Sequence, residues 1–373
     1  MKRHLLQFKF ITIIIFFSSI WLSGCAGTGD NVDFKPPTFP PPPEKARFIW
    51  ERTIRSSADV KEETAADKFQ QFATGTTGSA YGLGKPYGIA AYKGRIYVSD
   101  TVQRSVFLFD FPNKDFKPIG IEGPGQLAKP IGITIDKNNG LLYVADNSGK
   151  RIVVFDSDGK YLRAIGGSQT LRRPSDVAIS NDGTRIYVID TGGVDSEEHH
   201  MLIFDPITGE LLDTIGGRSK AEGDFNLPVQ LTVAPDGTVY VVDAGNFRVQ
   251  AFNEDGSFKK SFGGIGRFSG QFSRPKGIAT DKDGNVYVVD TAFGNFQIFN
   301  TQGELLLFVG NRGRLGGPAE YMLPAGIAID LDGRVYMADQ YFKKIDVYRP
   351  ADLDPDQGYI GEKYVEKYQK SKK

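Results

Sequence analysis

The sequence predicts an all-β fold built from six copies of one four-stranded unit, and three observations support this. First, six segments share one order of features: a proline, a short apolar strand, a tight turn, and a Val/Ile/Tyr-rich strand that ends in aspartate. Second, an aromatic residue follows that aspartate by 9 residues in five of the six segments. Third, 44 Gly and 27 Phe beside 4 Met are typical of short strands joined by tight turns.

Together these features predict a six-bladed β-propeller over residues 46–350. A single sheet of this kind leaves two apolar faces, and radial packing of about six sheets buries both faces of each. The repeated prolines lie 44 to 54 residues apart, at Pro86, Pro130, Pro174, Pro228, Pro275 and Pro324. The aspartates that end the second strands are Asp100, Asp146, Asp190, Asp243, Asp290 and Asp339.

The fifth unit shows how each strand is predicted. Residues Val286–Val289 are continuously apolar and rich in β-branched side chains, as expected for a strand that is covered on both faces. The preceding pair Asp283-Gly284 is typical of a tight hairpin turn. Residues 277–280, 296–299 and 304–309 complete a four-stranded meander.

The sixth unit lacks a fourth strand, because the chain turns polar after Pro350. Residues Ala46–Ile54 are the strand-like stretch that no other unit uses, and we expect them to form the outer strand of the last blade. This pairing joins the two ends of the repeat region and removes an open sheet edge. Residues 59–72 are predicted to form a short helix capped by Asp59. Residues 351–373 are predicted to be a polar, Lys-rich tail, in which residues 362–373 are either a frayed helix or disordered.

The N-terminus has the order of features of a signal peptide, predicted over residues 1–24. An apolar run from Phe10 to Leu22 follows a basic start, and it is too short to span a bilayer as a helix. The tetrad from Leu22 to Cys25 resembles the lipobox of bacterial lipoproteins, which implies cleavage before Cys25 and lipidation of its sulfur. The alternative is a plain secretory signal with a coincidental cysteine. Residues 25–45 are predicted to be a Pro-rich tether.

In the lipobox pattern, an aspartate after the cysteine favours retention in the inner membrane, and this chain has Ala26 there. The resemblance therefore implies an outer-membrane lipoprotein, with its head in the periplasm or at the cell surface.

The repeat units resemble NHL repeats. The resemblance rests on residues Arg274–Ala279, Val286–Asp290 and Asn246–Phe252, and it covers about residues 85–349. It implies a six-bladed propeller of the NHL type and does not specify an activity, since function depends on sites added to such folds.

Enzymes with propellers that resemble this one include peptide-amidating lyases, which hold a metal through several channel histidines, and gluconolactonase-type hydrolases, which use carboxylates and an asparagine. This chain has 3 His, of which His4 lies in the predicted signal peptide and the other two are adjacent. A site with three histidines from separate blades cannot be built. We therefore expect a binding or scaffold module with no catalytic residues, and the alternative is a metal-assisted hydrolase or lyase.

Candidate binding residues are departures from the repeat on one face of the ring. The loops that lead into each inner strand share this face with those that join the second and third strands. At the third position of the Pro-x-x motif four units have glycine, whereas Asp176 and Gln230 replace it in the other two. Tyr87 and Lys276 occupy the second position. We expect these four side chains to contact a ligand at the channel mouth, and the alternative is that they only hydrate it or bond to loop backbone.

A second candidate is the longer loop of the third unit, which we expect to add ligand contacts on the same face. Its residues with side chains of metal-ligand type are Asp195, Glu197, Glu198, His199 and His200. The alternative is a solvated acidic loop, and the sequence predicts no metal site there.

The composition of the chain limits the classes of ligand and partner that it can be expected to bind. With 45 Lys+Arg against 45 Asp+Glu and no visible basic stripe, the chain is not expected to bind nucleic acid. The single cysteine excludes c-type haem attachment and a four-Cys zinc site. The run Gly263–Gly266 is an inter-blade turn rather than a dinucleotide fingerprint, because no helix follows it, so no cofactor is predicted. The expected partner is a protein, a peptide or a glycan.

Overall fold

A computed structural model of the protein describes residues 34–61, 73 and 80–372. The predictions of a signal peptide over residues 1–24, of lipidation at Cys25 and of a tether up to residue 33 lie outside the described residues. Nearly all of the helix predicted over residues 59–72 does so as well. Residues Pro36–Lys373 belong to one compact unit, which holds the propeller.

Six antiparallel sheets form the blades within the described residues. The N-terminal strands are β1 (Thr38–Phe39) and β2 (Phe48–Ile54). Blade one contains β3 (Pro86–Tyr92), β4 (Arg95–Asp100), β5 (Ser105–Asp110) and β6 (Asp115–Ile119). Blade two contains β7 (Pro130–Ile135), β8 (Leu142–Asp146), β9 (Arg151–Phe155) and β10 (Tyr161–Ile165). Blade three contains β11 (Pro174–Ile179), β12 (Ile186–Asp190), β13 (His200–Phe204) and β14 (Leu211–Ile215).

Blade four contains β15 (Pro228–Val233), β16 (Val239–Asp243), β17 (Arg248–Phe252) and β18 (Phe258–Gly263). Blade five contains β19 (Pro275–Thr280), β20 (Val286–Asp290), β21 (Asn295–Phe299) and β22 (Leu305–Val309). A short parallel pair follows, β23 (Asn311–Arg312) and β24 (Glu320–Tyr321). Blade six contains β25 (Pro324–Ile329), β26 (Val335–Asp339) and β27 (Lys344–Pro350), joined by β2 and β1. Short 3-10 turns occur at Ser57–Asp59, Gly123–Gly125 and Ala244–Asn246, and helix α1 spans Glu362–Ser371.

The hydrophobic core is divided into six clusters, one in each gap between neighbouring blades. The gap between blades six and one, for example, is filled by Phe107 and Tyr336 from facing sheets. Each second strand, such as β20, is buried along its whole length because a neighbouring blade covers each of its faces. The inner strand β25 contacts β3, so the ring closes between the last blade and the first. The predicted six-bladed propeller is therefore confirmed.

Closure of the ring depends on the predicted N-terminal strand. Strand β2 lies antiparallel to β27, with Phe48 opposite Pro350 and Ile54 opposite Ile345. A buried ion pair supports this seam, since Arg334 Nε lies 2.8 Å from Glu51 Oε2. The same guanidinium donates to the Gln357 carbonyl at 2.8 Å, which ties the C-terminal segment to blade six.

Two segments are more ordered than the sequence predicts. Thr38 and Phe39 lie in the predicted tether, but they pair with the start of β2 as a fifth strand of blade six. The C-terminal segment packs under blades six and one, where Ile360 and Val365 are buried and Gln369 Nε2 donates to the Pro112 carbonyl at 2.6 Å. Strand β1 covers part of the edge of β2 that would otherwise face water.

Asp59 differs from its predicted role as a helix N-cap. It ends the 3-10 turn Ser57–Asp59, and its Oδ2 accepts backbone N–H groups of Arg55 and Ser56 at 2.8 Å each. Ser56 caps that turn instead. Within the described residues, no helix has both the length and the apolar character that a membrane crossing requires.

Candidate functional site

The two ends of the ring differ in which loops they carry. We call the end where the inner strands begin the proline face; its loops include residues 264–274 and 310–323. We call the other end the turn face; its loops include residues 281–285 and 330–334. Each inner strand starts with proline, which needs no ladder partner for its nitrogen, and a β-bulge follows within two residues. Bulges re-aim side chains, and here they bring second-position residues towards the channel mouth.

The repeated aspartates hold the loops of the proline face. Asp290 Oδ2 accepts the backbone N–H groups of Ser273 and Arg274 at 2.7 and 2.9 Å. Asp100 does the same for Gly84 and Lys85 at 2.7 and 2.8 Å. Their carboxylates are occupied by loop backbone, so these aspartates cap the turns that lead into the inner strands.

The repeated glycines are explained by the width of the channel. A Cβ on Gly88 would lie 2.5 Å from the Ile131 carbonyl oxygen of the next blade. On Gly277 and Gly326 it would come closer still to the carbonyl oxygens of Ala325 and Tyr87. The inner strands therefore approach each other too closely at this level to admit a side chain, except in blades three and four.

Asp176 occupies the position where blade three departs from glycine. It is 6% exposed, packs against Gly132 of blade two, and accepts the backbone N–H of Leu231 of blade four at 2.9 Å. Burial raises the pKa of its carboxyl to about 8, against the opposing effect of the Leu231 hydrogen bond. The group is therefore mainly neutral at pH 7 and offers a proton to the channel.

Tyr87 and Lys276 meet at the channel mouth from blades one and five. Lys276 Nζ lies 4.6 Å from the centre of the Tyr87 ring, a cation–π contact. Burial, and then the charges of Arg274 and Lys85, lower the pKa of Lys276 to about 8. Burial and the nearby Asp176 raise the pKa of the Tyr87 hydroxyl, so it stays protonated.

Gln230 completes the predicted mouth residues. It is 4% exposed and lines, with Asp176, a channel cavity of about 150 Å³ enclosed by all six inner strands. Its side-chain amide makes no hydrogen bond to another described residue, so both ends of the amide are available to a ligand or water. The structure thus brings Tyr87 to Lys276 near the start of the inner strands and Asp176 to Gln230 in the cavity, which extends from there to Lys137 and Asn181 at the turn-face end.

In the blade-three loop, the two predicted histidines form hydrogen bonds to backbone groups. His199 is fully buried: its Nδ1 accepts the Leu227 N–H at 3.1 Å, which leaves Nε2 to donate to the Gly193 carbonyl at 3.1 Å. His200 donates through Nδ1 to the Gly216 carbonyl at 2.8 Å. Both histidines hold the loop in place, because their ring nitrogens are occupied by backbone groups.

The acidic residues of that loop remain at the surface. Glu198 lies 3.3 Å from Arg172, Glu197 lies 3.7 Å from Arg218, and Asp195 is exposed. The cavity of the channel is lined by residues other than these three. In the part of the chain that the structure describes, no three His, Cys, Asp or Glu side chains come together in a metal-binding arrangement.

The sequence reasoning missed a set of basic residues. Four of the six inner-strand prolines are directly preceded by a cation, at Lys85, Lys129, Arg173 and Arg274. Within the described residues, none of the four side chains forms an ion pair. The sequence showed these cations at one repeated position before proline, but the net charge of zero gave no reason to look for them.

Large apolar side chains are also exposed on this face. Among the described residues eight lie on its loops, at Tyr81, Val102, Ile121, Val194, Ile265, Phe268, Leu315 and Tyr341, whereas the turn-face loops carry Ile207 and Leu331. Phe268 is 79% and Leu315 91% exposed. Side chains of this kind on connecting loops are typical of a surface that contacts a partner.

Comparison with known proteins supports the repeat and the fold. A family model described as 6-bladed beta-propeller matches residues 54–167 and 281–363, more than half of the chain, and an NHL repeat model matches residues 225–252. The E3 ubiquitin-protein ligase NHLRC1 of Homo sapiens is 29% identical over 126 residues, covering 33% of this chain and 29% of that protein. Tripartite motif-containing protein 3 of Rattus norvegicus is 32% identical over 158 residues, covering 37% of this chain and 21% of that protein. The chain thus spans less than a third of either relative.

Solved structures share the fold at low identity. A Bacteroides thetaiotaomicron protein of unknown function has a TM-score of 0.59 at 18% identity, covering 80% of this chain and 75% of that chain. A gluconolactonase from Xanthomonas campestris has a TM-score of 0.57 at 17% identity, covering 85% of this chain and 96% of that chain. Since the 6-bladed beta-propeller model covers more than half of the residues and the structure shows six blades, this chain belongs to the 6-bladed beta-propeller family.

Proposed function

We propose that this propeller is a binding module that engages a protein partner through its proline face. The observation that carries the proposal is the concentration of exposed apolar side chains on the loops of that face, where Phe268 and Leu315 are almost fully exposed. Burying such a side chain in an interface contributes about 1.5–3 kcal/mol, so a few of them supply a useful share of a binding free energy.

The turn face is a weaker candidate although it has the larger groove, of about 720 Å³. Two of the acidic side chains that line this groove, Asp281 and Asp330, are used by their own turns. Asp281 accepts the N–H groups of Asp283 and Asn285 at 2.9 Å each, and Asp330 accepts those of Asp332 and Arg334 at 2.8 and 2.9 Å. These carboxylates stabilise hairpins, and fewer of their oxygens remain for a partner.

The curated relatives favour a protein as the partner. One of them is an E3 ubiquitin-protein ligase by name, and such enzymes act on other proteins. A peptide segment of a protein is compatible with the same face. The glycan expected as an alternative has no comparable support from the exposed apolar loops.

Anchoring through Cys25 at the outer membrane is part of the same proposal and rests on the lipobox-like tetrad. The described chain enters the propeller at β1, which pairs with the start of β2 beside Pro350, at the turn-face end of blade six. Replacing Cys25 with serine should release the head from the membrane fraction, because a lipid anchor binds through its acyl chains.

Capture of the partner tests the face that is used. Tagged heads carrying Leu315→Ser or Phe268→Ser would be compared with the Leu331→Ser control, which changes an exposed leucine on the turn face. We expect a protein captured from envelope extracts by the unmodified head to be lost with the first two variants and kept with the control. Loss with Leu331→Ser alone would place the interface on the turn face and refute the proposal.

A further inference from the structure

The central channel is narrowest near the proline face and opens towards the turn face. At the level of Gly88 and Gly326 the inner strands lie so close that a Cβ would overlap a carbonyl oxygen of the next blade. Asp176 and Gln230 replace glycine at this level, and both line the narrow end of the channel cavity. From there the cavity extends to Asn181 at the turn-face end. The channel is therefore a pocket that a ligand enters from the turn face.

The narrow end of this pocket holds two buried polar side chains. Asp176 and Gln230 are both more than nine-tenths buried. The Asp176 carboxyl accepts the Leu231 N–H at 2.9 Å, and no cation among the described residues pairs with it. The Gln230 amide makes no hydrogen bond to another described residue. Burying a carboxyl without a counter-charge costs folding free energy, and residues that carry such a cost are typical of functional sites.

The entrance of the pocket also carries acceptor oxygens. Asn138 Nδ2 donates to the Asn181 carbonyl at 2.9 Å, and Asn181 Nδ2 donates to the Ala234 carbonyl at 2.8 Å. These bonds use the side-chain nitrogens of both asparagines to join blades two, three and four. The side-chain oxygens of Asn138 and Asn181 accept no hydrogen bond from a described residue, so they remain as acceptors at the entrance.

Acidic side chains outnumber basic ones around this pocket. The groove of the turn face shares Lys137, Asn181 and Thr280 with the channel cavity, so the groove adjoins the entrance. The charged residues that line the cavity and the groove are seven aspartates and two lysines: Asp136, Asp176, Asp281, Asp283, Asp330, Asp332, Asp352, Lys137 and Lys282. Hydrogen bonds from turn N–H groups do not remove the charge of these carboxylates. An excess of negative charge at an entrance attracts cations and repels anions.

The size and the walls of the pocket limit the ligand. A volume of about 150 Å³ is comparable to that of a cavity which holds benzene, a molecule of about six non-hydrogen atoms. Asp176 and Ile179 lie three residues apart on β11, which spans about 10 Å at the usual rise of a strand. Each inner strand is the edge strand of its sheet, so unpaired backbone groups line the space between the two ends. These dimensions fit a short linear molecule that is polar at both ends.

We propose that the channel binds a short linear diamine, which enters from the turn face and places one ammonium group at Asp176 and Gln230 and the other at the oxygens of Asn138 and Asn181. An ammonium group has three N–H donors and no acceptor, so it matches the acceptor oxygens at both ends. Binding releases the proton of Asp176 to solvent, because a neighbouring cation favours the ionised carboxylate. This site goes beyond the proposed function, since it does not involve the loops of the proline face.

Calorimetric titration with three compounds of similar length tests the charge of the ligand. Putrescine, butanediol and succinate each have a four-carbon chain, and at pH 8 they are dicationic, neutral and dianionic. We expect putrescine to bind about tenfold more tightly than butanediol, the change produced by one charge-assisted hydrogen bond, and succinate to bind more weakly than either. Binding of butanediol or succinate that equals or exceeds that of putrescine would overturn the proposal.

Matched variants locate the binding. Asp176→Asn removes the carboxylate at nearly constant shape, and Asp213→Asn changes an exposed aspartate on β14 of the same blade. Affinity for putrescine should fall about tenfold with Asp176→Asn and stay unchanged with Asp213→Asn. Lys137→Gln should raise the affinity about threefold, because it removes the one cation that lines the cavity among the described residues. Unchanged affinity in Asp176→Asn, or weaker binding in Lys137→Gln, would contradict the proposal.

The pH dependence of binding gives a second readout. Burial raises the pKa of the Asp176 carboxyl to about 8, so its ionised fraction, and with it the affinity for putrescine, should rise about fiftyfold from pH 6 to pH 8. Tyr87 beside Asp176 stays protonated over this range. At the other end lie Asp136, Lys137 and Asp330, and burial raises the pKa of Asp330 to about 6.

The two variants separate these groups. The rise in affinity with pH should persist in Lys137→Gln and be much smaller in Asp176→Asn, which keeps Asp330. An affinity of the unmodified head that stays constant or falls from pH 6 to pH 8 would show that Asp176 does not hold the ammonium group. Leu315→Ser, which tests the proline face, should leave putrescine binding unchanged, so failure of the diamine site leaves the proposed protein-binding function standing.

Discussion

Replacing Asp176 with asparagine should stabilise the propeller at neutral pH, because the carboxyl is buried without a compensating charge among the described residues. Burial raises its pKa from 3.8 to about 8. A group with a raised folded-state pKa contributes its stability below the unfolded-state pKa and loses it as the pH rises towards the folded-state value. The wild-type protein therefore loses free energy of unfolding between about pH 4 and pH 8.

The size of this loss follows from the separation of the two pKa values. Each pH unit above the unfolded-state pKa costs about 1.4 kcal/mol, which gives about 4 kcal/mol at pH 7 and about 1.6 kcal/mol at pH 5. Asparagine still accepts the Leu231 N–H through its carbonyl oxygen and does not ionise. For a propeller of this size, we expect the variant to melt about 6 °C higher at pH 7 and about 2 °C higher at pH 5.

Scanning calorimetry of both proteins at the two pH values measures the effect. Any packing cost of the amide is the same at pH 5 and pH 7, so the change in the difference between the proteins isolates the ionisation of Asp176. A difference in Tm that is the same at both pH values would refute the argument, since it would mean that the carboxyl is well solvated or paired with a cation.

Two further predictions concern the seam and the channel wall. Replacing Glu51 with glutamine should destabilise the protein by about 3 kcal/mol, because it leaves the buried Arg334 guanidinium without its main partner. A Tm within 1 °C of the wild type would contradict the role of this pair. Replacing Gly326 with alanine should destabilise the protein by about 2 kcal/mol or more, because the added Cβ would overlap the Tyr87 carbonyl oxygen. An unchanged midpoint of unfolding in urea would instead show that the inner strands can move apart.

The sequence predicted the features that repeat. Prolines, strand-end aspartates and glycines recur in register, so the six blades and the capping role of residues such as Asp290 could be inferred from spacing alone. The closing strand β2 was predictable because blade six lacked a fourth strand. Strand β1 was not, since two residues next to a proline run give no alternating pattern.

Contacts between blades could be predicted only in part. Tyr87, Asp176, Gln230 and Lys276 were selected as departures from the repeat, but the contact between Lys276 and Tyr87 depends on how the ring brings blades five and one together. The hydrogen bond between His199 and Leu227 could not be foreseen, because the two residues lie 28 positions apart in the sequence. The cations before the inner-strand prolines, such as Lys85, were overlooked because a net charge of zero averages over both faces of the ring.

The measurement that tests the account most directly is hydrogen exchange of the head with and without its captured protein partner. Binding at the proline face should slow exchange in the loops at residues 264–274 and 310–323, because the partner covers their exposed backbone. Exchange in the turn-face loops at residues 281–285 and 330–334 should stay unchanged. Protection confined to the turn-face loops would contradict the account, since the partner would then bind at the end of the ring opposite the exposed apolar side chains of the proline face.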